Sequence, residues 1–69
     1  MAAKVFRLST GKSVTCFYEV NGDHYTVGIE IDFRKTVYEG DNFGEATKTY
    51  KELCDHYKER ERTQDVEGD

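Results

Sequence analysis

Apolar and polar residues alternate with a period of two on both sides of Asn21-Gly22. Val14, Cys16, Tyr18 and Val20 alternate with Thr15, Phe17 and Glu19 before it. Tyr25, Val27, Ile29, Ile31 and Phe33 alternate with Thr26, Gly28, Glu30 and Asp32 after it. Period two is the mark of half-buried strands. Asn-Gly between two such runs predicts a two-residue hairpin turn, because both turn positions take positive φ. With Asn21 and Gly22 as the loop, Val20 faces Asp23, Tyr18 faces Tyr25, Cys16 faces Val27 and Val14 faces Ile29. Directly opposed side chains share a sheet face. Val14, Cys16, Tyr18 and Val20 therefore join Tyr25, Val27, Ile29 and Ile31 on a buried face. Thr15, Phe17 and Glu19 lie opposite Gly28, Thr26 and His24 on a wet one. A one-residue slip would exchange the two faces, so the register is expected to be well specified.

The flanking segments extend this sheet. Lys4–Ser9 reads as a first strand, with Thr10-Gly11-Lys12 as a three-residue turn. That turn sets Leu8 opposite Val14 and Phe6 opposite Cys16, on the buried face. A two-residue turn would bury Val5 and expose Phe6 instead; the first option hides more apolar surface. Beyond Arg34-Lys35, Thr36–Glu39 reads as a short fourth strand, and the pattern leaves open whether Val37 or Tyr38 faces inward. Short connections throughout imply a meander.

At Gly40-Asp41-Asn42 the period changes. Asn42 is the expected N-cap of a helix, with Glu45 three residues later in a capping-box arrangement. Phe43, Ala46, Tyr50, Leu53, Cys54 and Tyr57 then fall on one stripe at 100° per residue. Lys48, Lys51, Glu52, Asp55 and Glu59 take the other side. The stripe ends at Tyr57, so the helix is expected to fray near Arg60–Thr63, and residues 63–69 are expected to be a disordered polar tail. The apolar stripe and the apolar sheet face can hide each other, which neither can do alone. The expectation is one α+β domain, residues 1–62: a four-stranded antiparallel meander with a C-terminal helix packed on one face, ββββα.

Composition narrows the function. The chain has 69 residues, 36% hydrophobic and 35% charged, so its core is small; a domain of this size hides only about 60% of its unfolded surface. No apolar run is long enough to span a bilayer, and Met-Ala-Ala-Lys-Val-Phe at the start is no signal peptide. A cytoplasmic location is expected, where two cysteines stay reduced. The net charge is −4, and ten of the fourteen acidic residues lie in residues 39–69.

The residues that can carry chemistry are few. Cys16 and Cys54 fall on facing apolar surfaces and read as small core residues. His24 lies across the sheet from the Cys16 face. Cys54 and His56 diverge by about 200° on a helix, which no tetrahedral zinc site tolerates. No metal and no cofactor are expected. His24 opposite Glu19 reads as a cross-strand polar pair. With no activated nucleophile and no phosphate-binding loop, no catalytic residue is assigned.

Phe17 is the aromatic predicted on the wet face, near Arg7, Thr15 and Thr26. These four form the candidate binding surface. The expected role is a small non-enzymatic module that makes protein contacts through a sheet edge or this face. The partner is an unidentified protein, or a second copy forming a homodimer. Single-stranded nucleic-acid binding is the alternative, with Phe17 stacking on bases and Arg7 on phosphate. The strand order followed by a helix resembles that of known single-strand binders, although the acidic balance opposes nucleic acid. A third reading is an acidic mimic of nucleic acid. No membrane partner is expected.

Leu53→Asp is expected to unfold the domain, since an unpaired charge in so small a core costs about as much as its whole stability. Glu52→Ala, on the opposite helix side, should leave the melting curve unchanged. Native melting of Leu53→Asp would show that the stripe is not the core face.

Overall fold

A computed structural model describes residues 2–68, with side chains as far as residue 60. The expected tail, 63–69, lies outside the residues described in full. Strands β1 (Ala2–Arg7), β2 (Ser13–Asn21), β3 (His24–Glu30) and β4 (Arg34–Gly40) precede one helix, α1 (Phe43–Gly68). The strands form a single antiparallel sheet in chain order, and α1 packs against all four. This is the ββββα arrangement that the alternation and the helical stripe predict. Among the described residues, no helix is long and apolar enough to cross a membrane.

Both N-terminal hairpins are offset by two residues from the expected pairing. In the second, Asn21 pairs with His24, Tyr18 with Val27 and Cys16 with Ile29. The loop is therefore Gly22-Asp23. Only Gly22 takes positive φ, at 66°, as a type II′ turn requires of its first central residue. In the first hairpin Phe6 pairs with Val14, and residues 8–12 form the loop. The Leu8 N–H donates to the Lys12 carbonyl at 2.8 Å, and the Gly11 N–H donates to the Leu8 carbonyl at 3.0 Å. An offset of two leaves every side chain on its predicted face, since strand side chains repeat with period two. Phe6 is buried and Val5 exposed, as the larger core demands. One pair does change: His24 no longer faces Glu19, and reaches Glu39 on β4 instead, at 3.0 Å.

The fourth strand contains a bulge. Gly28 pairs with Thr36, but Val27 pairs with Tyr38, leaving Val37 as the extra residue. A bulge reverses the facing of the residues beyond it. Lys35 and Tyr38 thus share the helix side, while Val37 remains 47% exposed. The question the alternation left open is settled in favour of Tyr38.

The centre of the core is built from small residues. Val14, Cys16, Val27 and Ala46 are fully buried, with Phe6 and Cys54 beside them. Leu8, Ile29, Tyr50, Leu53 and Tyr57 pack around this centre. Above it, Phe43, Tyr25, Tyr18 and Tyr50 form a chain of edge-to-face rings, with centroids 5.7, 6.2 and 5.6 Å apart. Such pairs add about 0.5–1.5 kcal/mol each beyond burial. Three residues expected inside are exposed: Val20 beside the hairpin tip, Ile31 just past the end of β3, and Phe43 at the first helical position. Each lies at the end of an element, where the opposing layer no longer covers it.

The helix start is held from two sides. The Asn42 Oδ1 accepts the Glu45 N–H at 3.0 Å, as an N-cap should. The Asn42 N–H donates to the Tyr38 hydroxyl at 3.3 Å. Tyr38 thus takes the place expected of the Glu45 carboxylate, because the bulge delivers its ring under the helix start.

Gly28 is a close-approach position. A Cβ there would collide with the Lys35 carbonyl oxygen and lie 2.7 Å from the Phe17 ring. Gly28→Ala is expected to lower stability by at least about 1–3 kcal/mol, the usual cost of overpacking. Gly44→Ala, with only Asn42 Oδ1 nearby at 3.4 Å, should be neutral. Equal melting temperatures for the two variants would contradict this packing.

Candidate functional site

The four residues predicted to form a binding surface do not make a stacking platform. Phe17 lies on the outer sheet face but is only 4% exposed. Its ring crosses Gly28, its partner on β3, and the Arg34 guanidinium covers it at 4.3 Å from the centroid. Arg34 is held there by both Glu19 oxygens, at 3.1 and 3.2 Å, and approaches Glu30 at 3.8 Å. The bland alternation of this face hid that outcome. The missing Cβ at Gly28 lets the ring lie flat, and the cation–π contact holds it down. Thr15 and Thr26 are half-buried on the same face. Arg7 is exposed at the far end of β1, opposite Ser13, and has an interaction of its own. The expectation of an exposed Phe17 is therefore corrected. The outer face is a polar layer in which Arg34 answers Glu19 and Glu30, and His24 answers Glu39.

The two cysteines do meet, across the helix–sheet interface. Both are free and buried, in one cluster with Phe6 and Val14. Burial pushes the Cys16 thiol up to about 12, and the neighbouring Cys54 thiol adds to the shift. Burial, then Cys54, likewise raises the Tyr50 phenol to about 12. The Tyr50 hydroxyl is buried among these thiols without a hydrogen bond of good geometry. A thiol held neutral is a poor nucleophile and a poor metal ligand. His56 stands apart and exposed, edge-on to Tyr57 at 4.9 Å. Among the described residues no three His, Cys, Asp or Glu side chains converge to hold a metal.

An open groove lies elsewhere, on the helix side of the sheet near the β1–β2 and β3–β4 loops. Leu8, Ile29, Ile31 and Phe33, with Lys12, Asp32 and Lys35, line a groove of about 370 Å³. A second depression of about 370 Å³ shares Leu8 and Ile31 and continues to His56, Tyr57 and Arg60 on α1. Phe33 is 76% exposed and Ile31 40%. Sequence reasoning counted Ile31 as core and gave Phe33 no role. The signal was present: the apolar alternation of β3 runs on past Glu30, where the strand ends. Lys12 and Asp32 pair across the loops at 2.9 Å, which ties the two walls of the groove together.

Comparison with family models, with curated proteins and with solved structures finds no match for this chain.

The raised thiol and phenol give a pH dependence with a definite sign. Below pH 9.0, the ordinary value for a thiol, Cys16 is neutral whether folded or unfolded. Between 9.0 and about 12 the unfolded chain releases that proton and the folded chain keeps it. The unfolded state then binds fewer protons, so stability falls as pH rises. The melting temperature should drop through this window, and less steeply in Cys16→Ala. Both thiols should react slowly with a thiol reagent in the native protein and rapidly in denaturant. Fast native labelling of Cys16, or an unchanged alkaline slope in Cys16→Ala, would contradict the assignment.

Proposed function

We propose that this protein is a small non-enzymatic binding module that makes protein contacts through the groove between Leu8, Ile31 and Phe33. The exposure of Phe33 carries the reading. A large aromatic left 76% exposed, continuous with Ile31, Leu8 and Ile29, is a clustered apolar surface. Such surfaces mark interaction sites more often than scattered apolar residues do.

The other surfaces are less suited. β1 and β4 are the open edges of the sheet. β4 carries the Val37 bulge, and β1 carries Lys4 and Arg7; bulges and edge charges both discourage pairing with another strand. The outer face buries Phe17 under Arg34, so the phenylalanine ring is closed to bases, which weighs against single-strand binding. On α1, Lys48, Lys51 and Lys58 stand among Glu52, Asp55 and Glu59, and this mixture weakens the likeness to a nucleic-acid mimic.

The tagged protein is expected to retain the same partner from source-cell extract with or without nuclease. Phe33→Asp, an exposed change that leaves the core intact, should abolish retention, while Glu52→Ala preserves it. Unchanged retention by folded Phe33→Asp would refute the groove as the contact surface.

A further inference from the structure

We infer that the groove takes a protein segment in which large apolar side chains are interleaved with carboxylates. The inference rests on the groove being the contact surface and adds the chemistry of its occupant. The charge around the groove has the opposite sign to that of the chain. Among the described residues, Lys12, Lys35 and Arg60 line it against one carboxylate, Asp32, whereas the chain as a whole carries −4. Lys12 and Asp32 neutralise each other at 2.9 Å. That leaves Lys35 in one depression and Arg60 in the other, neither with an ion-pair partner among the described residues.

Their placement is set by the fold. Lys35 pairs with Ile29 and so stands on the helix side of β4, ahead of the bulge, rather than on the outer face with Arg34. Arg60 lies one helical turn beyond Tyr57, on the side of α1 that looks over Leu8 and Ile31. Between the two cations lie Leu8, Ile29, Ile31 and Phe33, with Ser9, Thr10 and His56 on the Arg60 side. A bound segment therefore meets an apolar floor beside Lys35 and a mixed one beside Arg60. Apolar anchors would bury against Phe33 and Ile31, and flanking carboxylates would reach Lys35 and Arg60. A basic segment would face two cations without compensation, so the same arrangement excludes it. The two depressions are open and share Leu8 and Ile31, which suits a chain bearing several side chains better than one small enclosed ligand.

The test uses the full chain and two labelled synthetic peptides. One alternates leucine or phenylalanine with glutamate; the other has lysine for glutamate. The acidic peptide should bind and the basic one should not. Phe33→Ala should weaken the acidic peptide about tenfold or more, as truncating an aromatic anchor does. Lys35→Glu and Arg60→Glu should each weaken it about tenfold, and raised salt should weaken it further. All three positions are exposed, so the variants should keep the native melting curve.

Binding of both peptides alike, lost in Phe33→Ala, would overturn the acidic partner and leave the groove reading standing. Acidic-peptide binding indifferent to Phe33→Ala would overturn the site. Binding of neither peptide would overturn the acidic segment. Capture by Phe33→Asp from extract then decides separately whether the groove is a protein-contact surface.

Discussion

The close approach of one helix to one sheet face is the constraint on which the molecule depends. Its centre is made of Val14, Cys16, Val27 and Ala46, all fully buried, with Cys54 and Phe6 beside them. Small side chains let the two layers come near enough to exclude water, while larger rings close the sides. A chain with 36% hydrophobic residues has little else to bury, so nearly every stabilising contact is made across this one interface. The thiols belong to that logic. Between β2 and α1 they act as compact apolar groups, and the burial that makes Cys16 good filling also keeps its thiol protonated.

The same economy shapes the outer face. A lone phenylalanine on a wet sheet face would expose a large ring. Here the ring lies over Gly28, is covered by Arg34, and Arg34 is held by Glu19. Three strands contribute to this stack, so it helps hold β2, β3 and β4 in register. The cation–π contact, the glycine and the ion pair are each modest, but together they convert a would-be binding aromatic into a structural one.

The surface that the molecule leaves uncovered is therefore informative. The helix covers the middle of the sheet and leaves exposed the end where the β1–β2 and β3–β4 loops meet. Ile31 and Phe33 carry the apolar alternation past the last paired residue of β3, and Lys12 with Asp32 braces the loops beneath them.

The sequence by itself determined the element types, their order and the face of nearly every strand residue. Facing depends on parity alone, and hydrophobic alternation specifies parity strongly. That is why Phe6, Val14, Cys16 and Val27 were legible as core although both hairpins pair two residues away from the expected register: such an offset changes partners and not faces. Partners depend on which residue takes positive φ in a tight turn, and only the folded chain decided for Gly22 over Asn21. Tertiary structure also decided three matters that no local pattern could carry. Val37 became a bulge and passed the inward position to Tyr38. Phe17 was covered, because its ring, its glycine and its arginine come from three different strands. The groove appeared because the reach of a helix over a sheet is a property of two elements far apart in the chain, so the same alternation that reads as core along β3 becomes exposed surface where the helix no longer covers it.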